Sequence, residues 1–248
     1  LRAAADEELG RWAEVVADLR KLMEGAEDDE RFDLLVRAGD ILREKLSDNE
    51  KAAKSYNAAL EIHPEHRTLL HKLINCYQST EQWSRVVEAI LRIADLLDDK
   101  KMLAKYYLTA ARVNADKLGR TDEAVTYYDL ALDNDPDVLT VFEEMVRILT
   151  DKQNWNDLER AYRKMIGRME KGGDVVVRAN LWHSLGEICQ HRLSHMGDAI
   201  SAYETALRLD PENRPWMEVL ARLYNDDPRH ADKATRLHRQ LMDLNPYR

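Results

Sequence analysis

The chain has 248 residues, of which only 9 are glycine and 6 are proline, so the residues typical of turns are scarce. Hydrophobic residues make up 44% and charged residues 33%, which excludes a disordered chain, and so few turn residues nearly exclude an all-β sandwich. The 37 basic and 46 acidic residues give a net charge of −9, which disfavours non-specific binding to nucleic acid or to an anionic membrane.

An amphipathic helix is predicted close to the start of the chain. Trp12, Val15, Leu19 and Leu22 recur at spacings of three and four, which places them on one helical face. Because the chain begins at Leu1 with this pattern already under way, we expect a fragment of a longer protein. We expect a cytoplasmic location, and a targeting segment upstream of this fragment is left open.

Three later segments align with one another without gaps over 34 residues, at 31–64, 103–136 and 178–211. Each ends in a proline, and these prolines recur after 72 and then 75 residues. Before each proline stands the same small, aromatic, small and leucine pattern, whose spacing places the four side chains on one helical face. The four positions are Ala52, Tyr56, Ala59 and Leu60, then Ala124, Tyr128, Ala131 and Leu132, then Ala199, Tyr203, Ala206 and Leu207.

A second kind of unit lies between these segments and is marked by tryptophan. Trp83 and Trp155 each stand 19 residues after the proline that closes the preceding segment, and each begins a further amphipathic helix. A ladder of tryptophans could stack on a ligand, but the common register with Trp12 favours packing across a helical hairpin. Two alternating hairpins therefore form a super-repeat of 72 to 75 residues.

These residues resemble the tetratricopeptide repeat family, whose units have two helices and about 34 residues. Cys189 stands where that family usually has an aromatic residue, and the turn before Ala199 is one residue longer than is typical. The resemblance implies an all-α fold, a right-handed α-solenoid of helical hairpins. The best match consists of Trp182, Leu185, Gly186 and Cys189, followed by Ala199, Tyr203, Ala206, Leu207 and Pro211.

The repeats predict a single array over residues 1–248. Small side chains on the first helix of a hairpin are expected to face alanines on the second, and the tyrosines to fill the space toward the next hairpin. The small residues are Gly39, Ala111 and Gly186, and the alanines are Ala59, Ala131 and Ala206. The predicted units are a partial repeat at 1–29 and full repeats at 30–65, 66–100, 101–137, 138–174, 175–212 and 213–248.

No catalytic motif is present in the sequence: there is no glycine-rich phosphate loop, nucleophile elbow or zinc-protease motif. His191 and His195 have a spacing that suits metal ligands on a helix, but His195 is expected in a turn. We therefore predict no enzymatic activity, no cofactor and no metal site. Cys76 and Cys189 lie far apart in sequence, and we expect two reduced, buried thiols.

The resemblance also implies a binding surface, because in this family the first helices line a concave groove that holds an extended peptide or a partner helix. The family's carboxylate clamp of lysine and asparagine is absent as a set, since His71 and Asn75 stand at the corresponding positions. The groove is expected to be polar and mixed in charge. The candidate binding residues are His71, Lys72, Asn75, Lys105, Arg112, Arg147, Glu187 and Arg222.

The predicted function is that of a non-enzymatic scaffold or adaptor that binds a protein or peptide partner in this groove. Nucleic acid and membrane insertion are not expected, because the chain is acidic and has no apolar run of membrane-spanning length. End-to-end self-association of the array is a further expectation. Two alternatives stay open: a regulatory or substrate-recruiting module of a larger enzyme, and a structural component of an envelope or motility complex.

Overall fold

The computed structural model describes residues 10–170 and 172–244. Over these ranges it contains thirteen α-helices and no β-strand, which confirms the predicted all-α class. The start of the repeat predicted at 1–29 and the end of the repeat predicted at 213–248 lie outside the described residues. Of the helices described, none combines the length and the apolar character needed to cross a bilayer. The chain divides into two compact units, Leu1–Asn134 and Asp135–Arg248.

The first unit contains seven described helices, each packed against the next one along the chain. The α2–α3 and α6–α7 hairpins have the most extensive contacts. A short π-helical turn, Asn114–Leu118, follows α6. The helices are α1 (Trp12–Met23), α2 (Asp28–Glu44), α3 (Asn49–Ile62), α4 (Arg67–Ser79), α5 (Trp83–Ala94), α6 (Lys100–Val113) and α7 (Thr121–Asn134).

The second unit contains six described helices with the same nearest-neighbour packing, and the α10–α11 hairpin has its most extensive contacts. A π-helical turn, Cys189–Leu193, follows α10, at the position that corresponds to the turn after α6. The helices are α8 (Leu139–Asp151), α9 (Trp155–Met169), α10 (Val175–Ile188), α11 (Met196–Leu209), α12 (Arg214–Asn225) and α13 (Ala231–Asp243).

Short polar side chains begin many of these helices. The carboxylate of Asp48 accepts a hydrogen bond from the backbone N–H of Lys51 at 3.0 Å, and Asp99 accepts one from Met102 at 2.8 Å. Asp174 caps α10 in the same way. Because the first four N–H groups of a helix have no partner within it, these caps stabilise each helix start, by about 1 kcal/mol apiece.

Two kinds of turn recur with left-handed backbone. Within the hairpins that match the three aligned segments, the residue with positive φ is Ser47, Gly119 and Ser194 in turn. In the tryptophan-marked hairpins, a residue with positive φ stands two places before the tryptophan, as at Glu81 and Gln153. At the corresponding place before α13 the chain has Pro228, whose ring forbids positive φ, and a 3₁₀ turn, Pro228–His230, replaces the left-handed turn.

Replacing Gly119 by alanine is expected to destabilise the first unit by about 1 kcal/mol, because an L-residue in the left-handed region is strained. An added Cβ at Gly119 would meet no atom within 4 Å, so the loss would come from the backbone alone. Gly197 in α11 is a matched control, since it is equally uncrowded but helical, and alanine there should be neutral or stabilising. Urea denaturation measures both changes, and equal shifts in the two variants would contradict the expectation.

The core contains the repeated tyrosines. Tyr56, Tyr128 and Tyr203 are at most 2% exposed, as the pattern of small and aromatic residues predicted. The partner of the small first-helix residue was predicted wrongly, however. At Gly39 the nearest side chain is the ring of Tyr56 and not Ala59, and at Gly186 it is the ring of Tyr203. The glycines therefore make room for a tyrosine of their own hairpin, which the small alanines alone do not require.

Candidate binding surface

The first helix of each hairpin presents exposed polar side chains, and we call this surface the first-helix face. It consists of the exposed sides of α2, α4 and α6 in the first unit and of α8, α10 and α12 in the second. Of the eight candidate binding residues, only Lys72 is half-buried, and the others are exposed. Five of them, His71, Lys72, Asn75, Lys105 and Arg112, lie on α4 and α6.

Lys72 is held by a hydrogen-bonded network that joins three helices. Its ammonium donates to both carboxylate oxygens of Asp40 on α2, at 2.6 and 2.7 Å. The buried hydroxyl of Tyr56 on α3 donates to the same carboxylate at 2.7 Å. Lys72 and Asp40 are only 25% and 32% exposed, so this ion pair is partly shielded from water. Lys72 therefore links adjacent hairpins, a role that its sequence position did not predict.

His71 connects α4 with α6. Its Nε2 lies 3.2 Å from the hydroxyl of Tyr106, with one of the two groups as donor according to the histidine tautomer. The first-helix face of the first unit is thus continuous from α2 through α4 to α6, because Lys72 bridges the first gap and His71 the second.

In the second unit, the candidates Arg147, Glu187 and Arg222 lie on α8, α10 and α12. Between α10 and α12 the imidazole of His183 stacks on the indole of Trp216, with ring centroids 4.7 Å apart and 17° between the planes. Burial lowers the pKa of His183, although the carboxylate of Glu187, 3.8 Å away, opposes that shift. The stacked pair joins these two helices side by side.

A hollow of about 520 Å³ opens on this face between α8 and α10. Its floor is formed by the second helix of the hairpin through Trp155, Leu158 and Tyr162. Its rim is polar and charged, with Glu187 and Arg192 on the α10 side. An apolar floor inside a polar rim is the usual composition of a site for a side chain or a small ligand.

The tryptophans at the starts of α1, α5 and α9 are half-buried, and each has a cation over its ring. Each cation comes from the end of the next first helix, at the same position in every hairpin. The pairs are Trp12 with Lys45 at 5.3 Å, Trp83 with Lys117 at 5.1 Å, and Trp155 with Arg192 at 4.6 Å. The ring packs between hairpins and exposes an edge to the hollow, so neither simple reading of the tryptophans was complete.

A second hollow, of about 350 Å³, lies beside Trp12 in the first unit, lined by α1 and α2 residues that include Val36, Asp40 and Lys45. It corresponds to the hollow beside Trp155, because a tryptophan and the cation above it stand at one side of both. Sequence reasoning missed Arg192 and Tyr162 as binding residues. The signal that could have found them is the constant separation between each tryptophan and the basic residue of the following hairpin.

The two thiols are buried, as predicted from the sequence. Burial raises the pKa of Cys76, and it raises that of Cys189 to about 11. Because the thiolate is the reactive form, neither cysteine is suited to act as a nucleophile near neutral pH.

Comparison with known proteins places three segments in one family. Residues 32–66, 104–138 and 179–213 match the family model described as Tetratricopeptide repeat. They correspond to the three hairpins α2–α3, α6–α7 and α10–α11. No curated protein matches the chain in sequence.

Similar solved structures share the fold at low sequence identity. The Naa15/Naa10 complex bound to HypK-THB is 14% identical, with a TM-score of 0.49, over 100% of this chain and 36% of that chain. A tetratricopeptide repeat protein from Parabacteroides merdae is 12% identical, with a TM-score of 0.41, over 100% of this chain and 92% of that one. YrrB, whose structure is described as having an unusual peptide-binding site, is 13% identical, with a TM-score of 0.38, over 81% and 96%.

Proposed function

Because this chain carries tetratricopeptide repeats, we propose that it is a protein-interaction scaffold without enzymatic activity, which binds a peptide or a partner helix on its first-helix face. The observation that carries this proposal is the hollow between α8 and α10. It is large enough for several side chains, it opens on the first-helix face, and its floor is aromatic and apolar. A peptide lying across α8 and α10 would bury an apolar side chain against Trp155.

The charges around the hollow define the partner further. Glu187 and Arg192 have opposite signs and stand on the same rim, and Arg147 is exposed on α8. A ligand with one sign of charge would meet repulsion at some of these positions. The proposed partner is therefore a peptide with an apolar anchor residue flanked by both acidic and basic side chains, which polar rim contacts would hold in register.

The role proposed for the eight candidate residues differs between them. His71, Asn75, Lys105, Arg112, Arg147, Glu187 and Arg222 are exposed and would contact the partner directly. Lys72 would act by keeping α4 against α2 through its ion pair with Asp40.

Peptide selection tests the proposal, because a random library assumes nothing about the sequence of the partner. A displayed library of random twelve-residue peptides would be selected on the immobilised protein, and the enriched peptides measured by fluorescence polarisation. Thr150→Arg places a large charged side chain at the rim of the hollow, and we expect it to weaken binding at least tenfold.

Ser201→Arg is the matched control, because Ser201 is an exposed hydroxyl residue on the second helix α11, away from the first-helix face. It should leave the affinity unchanged. Failure to enrich any peptide, or equal weakening by the two substitutions, would contradict the assignment of this surface.

A further inference from the structure

Three side chains from separate parts of the second unit converge at the start of α11. Glu159 comes from α9, His195 is the residue before α11, and Asp198 lies in its first turn. One ligand atom from each of them lies within 4.8 Å of the other two. Imidazole nitrogen and carboxylate oxygen together are ligands that bind zinc and similar transition-metal ions.

Glu159 is an exception to the repeat pattern. Four residues after the tryptophan, α1 and α5 have Val16 and Val87, which are 5% and 8% exposed. At the same position α9 has Glu159, whose side chain is only 18% exposed. A carboxylate in place of a core valine is unfavourable unless a cation or hydrogen bonds compensate its charge. The substitution therefore needs a partner that the other two hairpins do not need.

Arg163 supplies part of that compensation. Its guanidinium lies 2.7 Å from Glu159 and 3.7 Å from Asp198, and its side chain is 46% exposed. A single positive charge thus stands beside two carboxylates. Because Arg163 is half in solvent, its guanidinium can turn outward and leave both carboxylates to a divalent ion.

We propose that Glu159, His195 and Asp198 form a binding site for a divalent transition-metal ion of the zinc class, with water completing the coordination. His195 and Asp198 are both about half exposed, so rotation of their side chains can close the 3.9 Å between Nδ1 and the carboxylate to the roughly 3 Å that ligands sharing a zinc ion require. The ion would tie the turn before α11 to α9. His191, which sequence spacing paired with His195, is not among the ligands.

This site goes beyond the proposed scaffold function, and it replaces our expectation of no metal site. That expectation considered only ligands close in sequence, whereas Glu159 is brought to His195 by the packing of α9 against the α10–α11 hairpin.

Zinc titration of the purified protein tests the site. Isothermal titration with zinc chloride is expected to show one saturable site, and zinc should raise the melting temperature. Co²⁺ in place of zinc should give the visible absorption of a protein-bound ion. His195→Ala and Glu159→Gln should each weaken zinc binding at least tenfold, whereas His191→Ala, four residues away in the same region, should not.

Arg163→Gln separates the metal from the guanidinium that competes with it. The substitution should strengthen zinc binding, because the two carboxylates lose their existing counter-charge. The proposal would be overturned by an absence of saturable zinc binding in the unmodified protein, including the case in which only Arg163→Gln binds. Equal losses in His195→Ala and His191→Ala would overturn it as well.

Discussion

Replacing Gly39 by alanine is expected to destabilise the first unit by about 1–3 kcal/mol. The new Cβ would lie 2.7 Å from Cδ1 of Tyr56 and also against Cε1 of the same ring. The ring has little freedom to move, because it is fully buried and its hydroxyl is bound to Asp40. The strain must therefore separate α2 from α3. Urea denaturation followed by circular dichroism measures the loss.

Gly167→Ala is the matched control for this prediction. Gly167 is exposed within α9, and an added Cβ would meet no atom within 4 Å, so the higher helix propensity of alanine should stabilise by up to about 1 kcal/mol. Gly186→Ala provides a second test in the other unit, since its Cβ would lie 2.7 Å from the ring of Tyr203. A Gly39→Ala variant as stable as the original protein would show that α2 and α3 are not so close.

The protein is expected to lose stability steeply above pH 10, because its buried tyrosines resist ionisation. Burial raises the pKa of Tyr56, Tyr203 and Tyr224, and the neighbouring Asp40 and Glu204 raise those of Tyr56 and Tyr224 further. In the unfolded chain tyrosine ionises near pH 10. Above that pH the folded state binds more protons than the unfolded state, so the free energy of unfolding falls as pH rises.

For each such tyrosine the loss at pH 12 is about 2–3 kcal/mol, since two pH units above its unfolded pKa each contribute about 1.4 kcal/mol. Urea denaturation at pH 8, 10 and 12, with tyrosinate absorbance at 295 nm, measures the loss and shows whether ionisation accompanies unfolding.

Tyr203→Phe isolates one hydroxyl. At neutral pH it should cost about 1 kcal/mol, because the hydrogen bond that Tyr203 donates to Gln190 at 3.0 Å is lost. At pH 12 the variant should be more stable than the original protein, because it has one fewer buried group to ionise. A difference between the two proteins that stays constant from pH 8 to pH 12 would refute the protonated, buried state of Tyr203.

Much of the fold could be predicted from local sequence patterns. The small, aromatic and small positions recur at helical spacing, and Tyr56, Tyr128 and Tyr203 are all buried as this pattern predicted. The family match covers the same three segments that the prolines delimit. Such patterns are readable because each hairpin buries its apolar stripe against its nearest neighbours, so contacts stay close in sequence.

The candidate binding surface was predicted less completely. Helical periodicity correctly placed His71 and Asn75 on an exposed face, but it could not show that Lys72 is occupied by Asp40. The hollow beside Trp155 was not predicted either, because its walls come from three different helices. A periodic pattern assigns a side chain to a face of its own helix and leaves the distance to the facing helix undetermined.

By itself, the sequence determined the helical class, the repeat period and the buried tyrosines, because helical periodicity and nearest-neighbour packing are local properties. Only the tertiary structure decided that Gly39 adjoins the ring of Tyr56, that a cation covers each marker tryptophan, and that Glu159 meets His195. The first-helix position of Gly39 carries Ala111 in a hairpin whose Tyr128 is equally buried, so residue type alone did not disclose that contact. These features depend on how far apart neighbouring helices lie, which packing of the whole unit sets.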